Sequence, residues 1–128
     1  MLWTNKKQNQ ESHREIGNNW EKVAEQYLVA QGLLLLANNF HCRLGEIDLI
    51  MQDGDVISFI EVKYRKNSHF GGAIYAVTAS KQQKLTKTAK FFLQQQGLNE
   101  YNTTCRFDVV AIEGGKSSPE ITWLKNAF

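Results

Sequence analysis

Three side chains on two neighbouring segments have the types needed to work on a phosphodiester. They are Asp48 in LGEIDLIMQ, residues 44–52, and Glu61 and Lys63 in VISFIEVKYR, residues 56–65. Both segments alternate apolar and polar residues, which predicts strands. Asp53, Gly54 and Asp55 between them predict a hairpin turn. Facing residues of an antiparallel pair lie on the same side of the sheet. With Gly54 and Asp55 at the centre of the turn, Asp48 faces Glu61 and Glu46 faces Lys63. With Asp53 and Gly54 there, Glu46 faces Glu61 and Asp48 lies on the diagonal. Both registers keep the apolar faces together, with Ile47, Leu49 and Met51 expected on one side of the first strand. In either register Asp48, Glu61 and Lys63 converge on one patch, with carboxylates roughly 5–8 Å apart.

Carboxylates facing each other across strands repel, and each tends to become protonated. A divalent cation removes that cost. Mg²⁺ typically takes one or two carboxylates, several waters and phosphate oxygens. Mg²⁺ or Mn²⁺ held by Asp48 and Glu61 would supply an activated water and stabilise charge on a phosphoryl group. Lys63 would orient the water or steady the developing anion. Glu46 is either an auxiliary ligand or part of the polar alternation. The plainer reading of Glu61 and Lys63 is ordinary cross-strand electrostatic pairing with their neighbours.

Charge segregation supports the first reading. The chain has 15 Lys and Arg against 13 Asp and Glu, a net charge of only +2. Residues 44–61 nevertheless contain five acidic residues and no basic one, and residues 62–99 contain seven basic residues and no acidic one. An acidic block suits a cation and a basic block suits phosphates. Two solvated faces that happen to sort by sign are the alternative.

The elements that must hold these side chains are legible around them. The length of 128 residues fits one domain. Residues 1–16 are polar and predict a flexible tail, leaving residues 17–128 as the single domain. Trp20, Val23, Ala24, Tyr27 and Leu28 form a helical stripe over 19–31, with Asn18 or Asn19 as N-cap and Gly32 as stop. Glu21 lies at the edge of that stripe. Residues 33–41 predict a strand. Thr78 opens a second helix that runs to about Gln96 and stops at Gly97, with Leu85, Ala89, Phe92 and Leu93 facing inward. Lys84, Lys87 and Lys90 point away from that stripe, whereas Lys81 lies on its core-facing edge in the first turn. Two more strands follow at about 105–112 and 120–124. The order αβββαββ predicts an α/β fold, a mixed sheet flanked by two helices. No apolar run has the roughly 20 residues needed to cross a bilayer. Without a secretory h-region, Cys42 and Cys105 are expected to be reduced and buried in a cytoplasmic protein.

The strand pair carrying Ile47-Asp48 and Glu61-Val62-Lys63 resembles the PD-(D/E)XK signature of restriction-endonuclease-like nucleases. The closer resemblance is to the YraN-like family of small bacterial proteins. It rests on Gly17, Glu21 and Ala24, on GEIDLI at 45–50, SFIEVKYR at 58–65, Phe70-Gly71, Lys81 and RFDVV at 106–110. Ile47 stands where the superfamily has Pro, and Trp20 replaces the second Gly of the helix motif, which bears on how that helix begins. The resemblance implies a restriction-endonuclease-like fold and a metal-dependent nucleic-acid phosphodiesterase, endonuclease-like. Asp48 and Glu61 would bind the metal, Glu21 would support the site and Lys63 would assist the water. Lys81, Arg65 and Lys84 would contact nucleic-acid phosphates. DNA ranks ahead of RNA, and similarity of the sheet core to archaeal Holliday-junction resolvases makes branched DNA a candidate by analogy. So small a domain offers little surface to a duplex, which favours a homodimer. Two rivals stand beside this reading: a non-catalytic nucleic-acid-binding module and a protein-interaction adaptor. Asp108 reads as structural, and His13, His41 and His69 show no metal spacing.

Overall fold

The computed structural model describes residues 13–66, 76–114 and 118–128. The chain runs α1 (His13–Ala30), β1 (Leu34–Cys42), β2 (Gly45–Asp53), β3 (Val56–Arg65), α2 (Ala79–Gln95), β4 (Cys105–Glu113) and β5 (Glu120–Leu124). This is the expected αβββαββ order. The five strands form one sheet in chain order. Neighbours are antiparallel except β3 and β4, which are parallel and joined through α2. A mixed five-stranded sheet with two helices is consistent with the restriction-endonuclease-like arrangement. Among the described residues no helix is long and apolar enough to cross a membrane.

Each helix covers one face. Trp20, Ala24 and Leu28 of α1 pack on Leu49, Met51, Ile60, Val110 and Ile112. Leu85, Ala89, Phe92 and Leu93 of α2 pack on Ile47, Ile50, Ile57 and Phe59. Strand β3 is covered on both sides, which is why it reads as a nearly continuous apolar run. Thr78 caps α2 by accepting from the Lys81 backbone N–H at 3.2 Å. Gly97 follows the C-terminus with φ of 76°, the left-handed geometry for which glycine is suited. The hairpin pairs Asp53 with Val56, so Gly54 and Asp55 are its central residues and the first of the two registers holds.

Three expectations need correction. Helix α1 begins at His13, so residues 13–16 are helical rather than tail, and Asn18 and Asn19 lie inside the helix rather than capping it. Trp20 does not disturb it: the buried indole stacks on Tyr64, with ring centroids 4.2 Å apart. Ile47 does not share a face with Leu49 and Met51; it packs with Ile50 under α2. The change of face falls beside Asn39 of β1, which adopts a φ of 48° between Asn38, paired with Leu49, and Phe40, paired with Ile47. A left-handed residue breaks the pleat, and Asn tolerates that conformation. Cys42 and Cys105 are free thiols, half-buried rather than buried. Phe70, Gly71 and His69 lie outside the described residues.

The approach of β2 to α2 depends on Gly45. Its φ is 153°, and a Cβ there would stand 2.9 Å from Thr88 Oγ1. Thr88 is fully buried and donates to the Lys84 carbonyl at 2.8 Å, so it has no room to retreat. Gly45→Ala is therefore expected to destabilise the fold by ~1–3 kcal/mol, read as a lower urea midpoint. An unchanged midpoint would mean that α2 is not seated this closely.

Candidate functional site

The β2–β3 ladder ends at Leu49 paired with Ile60. Beyond it the strands fork. Strand β2 continues beside β1 as far as Gly45 opposite Cys42, and β3 continues beside β4 to Arg65 opposite Glu113. Asp48 sits in the fork. Its Oδ2 accepts the Val62 backbone N–H at 2.8 Å, taking the place of the carbonyl that a continued ladder would supply. The N-terminal half of α2 overlies the opening. The resulting cleft, about 330 Å³, is lined by Glu46, Asp48 and Glu61 from the strands and by Thr78, Ser80, Lys81 and Lys84 from α2.

The acidic groups crowd one another. Burial and then the neighbouring Glu61 charge push the Asp48 carboxyl up to about 8 from an ordinary 3.8, against the Val62 hydrogen bond that favours its charged form. Glu21 reaches the same point from α1. Burial raises its carboxyl, and the charges of Glu46 and Glu61 add to the effect; hydrogen bonds with Asp48 and Asn39 oppose it. Glu21 Oε1 is buried and has no partner among the other described groups. Asp48 stands beside Glu21, and a hydrogen bond between two carboxyls requires one of them to be protonated. The two therefore titrate as a pair. Glu46 is exposed at the rim, its Oε2 lying 3.2 Å from His41 Nδ1.

Two ammonium groups meet this cluster differently from the expectation. Lys63 shares the β3 face with Glu61, yet its Nζ donates to the Ala76 carbonyl at 2.6 Å. Burial pulls its pKa down, with the Glu61 charge opposing that. Lys81, read from sequence as a phosphate contact, donates its Nζ to Glu61 Oε2 in this structure. Its place on the core-facing edge of α2 was the available signal. Lys84 lines the cleft. Arg65 is exposed two residues past Lys63, outside the cleft lining, and donates to the adjacent Tyr64 carbonyl at 3.1 Å. The structure therefore brings Glu21, Glu46, Asp48, Glu61, Lys81 and Lys84 together, places Lys63 at the edge and leaves Arg65 outside.

Among the described residues no three His, Cys, Asp or Glu side chains stand ready to hold a metal ion by themselves. Mg²⁺ does not require such a cage: one or two carboxylates suffice when waters complete the shell. Asp48 and Glu61 offer that oxygen-only donor set, and the unpartnered Oε1 of Glu21 is a natural acceptor for a bound water.

Comparison with known sequences adds a family context. The profile described as "Uncharacterised protein family UPF0102" matches residues 20–112. A UPF0102 protein of Colwellia psychrerythraea is 57% identical over 129 residues, covering all of both chains. One from Vibrio campbellii is 53% identical over 117 residues, covering 91% of this chain and 94% of its own. One from Nitrosococcus oceani is 48% identical with the same coverage, 91% and 94%.

Proposed function

The chain belongs to UPF0102, the YraN family, and from the geometry of the cleft we propose that it is a divalent-metal-dependent nucleic-acid phosphodiesterase. The proposal includes an endonuclease acting on DNA ahead of RNA, with branched or structured DNA as the first substrate to try. The observation that carries it is the pairing of Asp48 and Glu61 across one open cleft. The first carboxyl is raised to about 8 by burial and by the second charge, and amines stand at the margin. A site that destabilises its own carboxylates has use for a cation.

In this reading Asp48 and Glu61 hold Mg²⁺ or Mn²⁺, which would contribute charge neutralisation and a water of lowered pKa. Val62 N–H fixes the Asp48 oxygen that remains. Glu21 accepts from water at the α1 side of the fork. Lys63, partly desolvated, orients the attacking water or donates to the developing anion. Lys84 contacts phosphate from α2. A second copy would extend the contact surface to a duplex, and the two free thiols suit a cytoplasmic setting.

The Lys81–Glu61 ion pair favours a second reading, a binding module in which an ammonium has taken over the neutralising role for good. One assay separates the two. Purified protein with Mg²⁺ or Mn²⁺ meets single-stranded, duplex, flapped and four-way-junction DNA, and RNA, beside Asp48→Ala and Lys63→Ala. Cleavage by wild type, reduced about 10²–10⁴-fold in both variants, is the expected result. Equal cleavage by all three would point to a contaminant. Salt-sensitive binding without cleavage would favour the module. Neither binding nor cleavage would leave the adaptor.

A further inference from the structure

We propose that Lys81 is a displaceable internal counter-ion: its ammonium occupies the cation position in the metal-free protein, and an entering divalent cation drives it onto the substrate phosphate. This rests on the metal-dependent reading above and specifies how the same site is kept closed and then opened.

The two halves of the Lys81–Glu61 pair differ in freedom. The Glu61 side chain is only 10% exposed, held on a strand paired through this region with β4, whereas the Lys81 side chain is 50% exposed. The carboxylate is fixed and the ammonium is the partner that can leave. Where Lys81 starts from is also fixed, because its backbone N–H is tied to the Thr78 cap. Glu46 and, once it is ionised, Asp48 act on the same ammonium as Glu61 does, so it faces three acidic side chains. That is the setting a bound cation would occupy. Lys63 does not compete for the place, since its Nζ is engaged by the Ala76 carbonyl. A lysine is suited to the exchange: a compact charge on a flexible four-carbon stem.

The destination is equally specific. Lys84 lies one turn further along α2 and lines the same cleft. Residues three apart on a helix are neighbours. Once released from Glu61, the Lys81 ammonium stands beside that of Lys84 at the mouth of the cleft, and the pair presents two positive charges to one phosphate. Binding of the cation and binding of the phosphate then reinforce each other through Lys81.

The test uses Mn²⁺ alone as the probe, titrated calorimetrically into the full-length protein. Wild type is compared with Lys81→Met, with Lys81→Gln, which keeps a polar head without charge, and with the distant exposed Lys87→Met. Mn²⁺ affinity is expected to rise about tenfold in both Lys81 variants and to stay level in Lys87→Met. With Mn²⁺ bound, the salt slope of DNA binding is expected to fall by about one in the Lys81 variants. Either Lys81 variant that retains a cooperative melt suffices for the comparison. Mn²⁺ binding to the Lys81 variants that equals or falls below that of wild type would overturn the counter-ion role and leave the metal-dependent reading intact. Absence of Mn²⁺ binding in every protein would overturn both.

Discussion

In metal-free buffer at pH 8.5, Asp48→Asn is expected to melt about 5–10 °C above wild type. Asp48 is the carboxyl pushed up to about 8, by burial first and by Glu61 second. In the unfolded chain it ionises near 3.8, the ordinary value. The folded protein therefore holds a proton that the unfolded chain has already released. Folding stability from this group is present in full below about pH 4 and is lost as pH rises, until the folded carboxyl itself ionises near 8. An asparagine keeps the useful half of the arrangement. Its oxygen still accepts from Val62 N–H, and its amide donates to Glu21 as the protonated acid does. Because Glu21 titrates together with Asp48, we expect a gain of ~2–3 kcal/mol at pH 8.5, narrowing steadily toward pH 4. The same protein should no longer bind Mn²⁺. Scanning calorimetry across this pH range checks the claim. A variant that melts with or below wild type at pH 8.5 would show that the fork is not strained by its carboxylates.

Asp108→Ala should cost ~3–5 kcal/mol of folding stability, the largest loss we expect from any single residue outside the core apolar set. Asp108 is fully buried beneath the α1 face of β4. It accepts from Ser58 Oγ at 2.6 Å and from Arg106 Nε, Trp123 Nε1 and the Asn126 backbone N–H, each at 3.0 Å. These donors come from β3, β4, β5 and the C-terminal segment, so one carboxylate joins three strands and the chain end. Arg106 in turn reaches Asp53 in β2 at 2.7 Å. Truncation leaves the fully buried Ser58 hydroxyl without its acceptor and takes an acceptor from the half-buried Arg106 and Trp123 donors and from the Asn126 backbone N–H. Urea unfolding should show a lower midpoint at unchanged slope. Asp108→Asn keeps the shape but loses the charge opposite Arg106, and should fall between the two. A loss under 1 kcal/mol for Asp108→Ala would mean that water replaces the carboxylate.

Much of this arrangement was legible in the sequence because it rests on short-range rules. Alternation located β2 and β3, and the Asp53-Gly54-Asp55 turn limited them to two registers, both of which bring Asp48 toward Glu61. The apolar stripes of α1 and α2 gave both covering faces. What escaped has physical reasons. Periodicity assumes an unbroken pleat, and beside the left-handed Asn39 the pleat breaks, leaving Ile47 on the opposite face. Composition marked residues 13–16 as tail, although helical backbone needs no apolar stripe in its first turn. The Lys81–Glu61 pair was not legible because lysine stems are long: Lys63 and Lys81 both have the reach. A neighbouring carbonyl at Ala76, invisible to any local pattern, engages the first of them.

The parallel pairing of β3 with β4 also bears on the order in which the chain assembles. Residue 57 pairs with residue 105, so this contact closes a long stretch of chain, whereas β2 and β3 are joined by a two-residue turn. Local hairpins close in microseconds, and distant pairings come later. During synthesis the Asp48–Glu61 hairpin is therefore complete before Lys81 has been delivered by α2. For that interval the nascent hairpin holds its acidic pair without its lysine, and protons or divalent cations from solution are the counter-charges within reach. Mild acid or a divalent cation would then speed the early hairpin step, and neutral metal-free buffer would slow it.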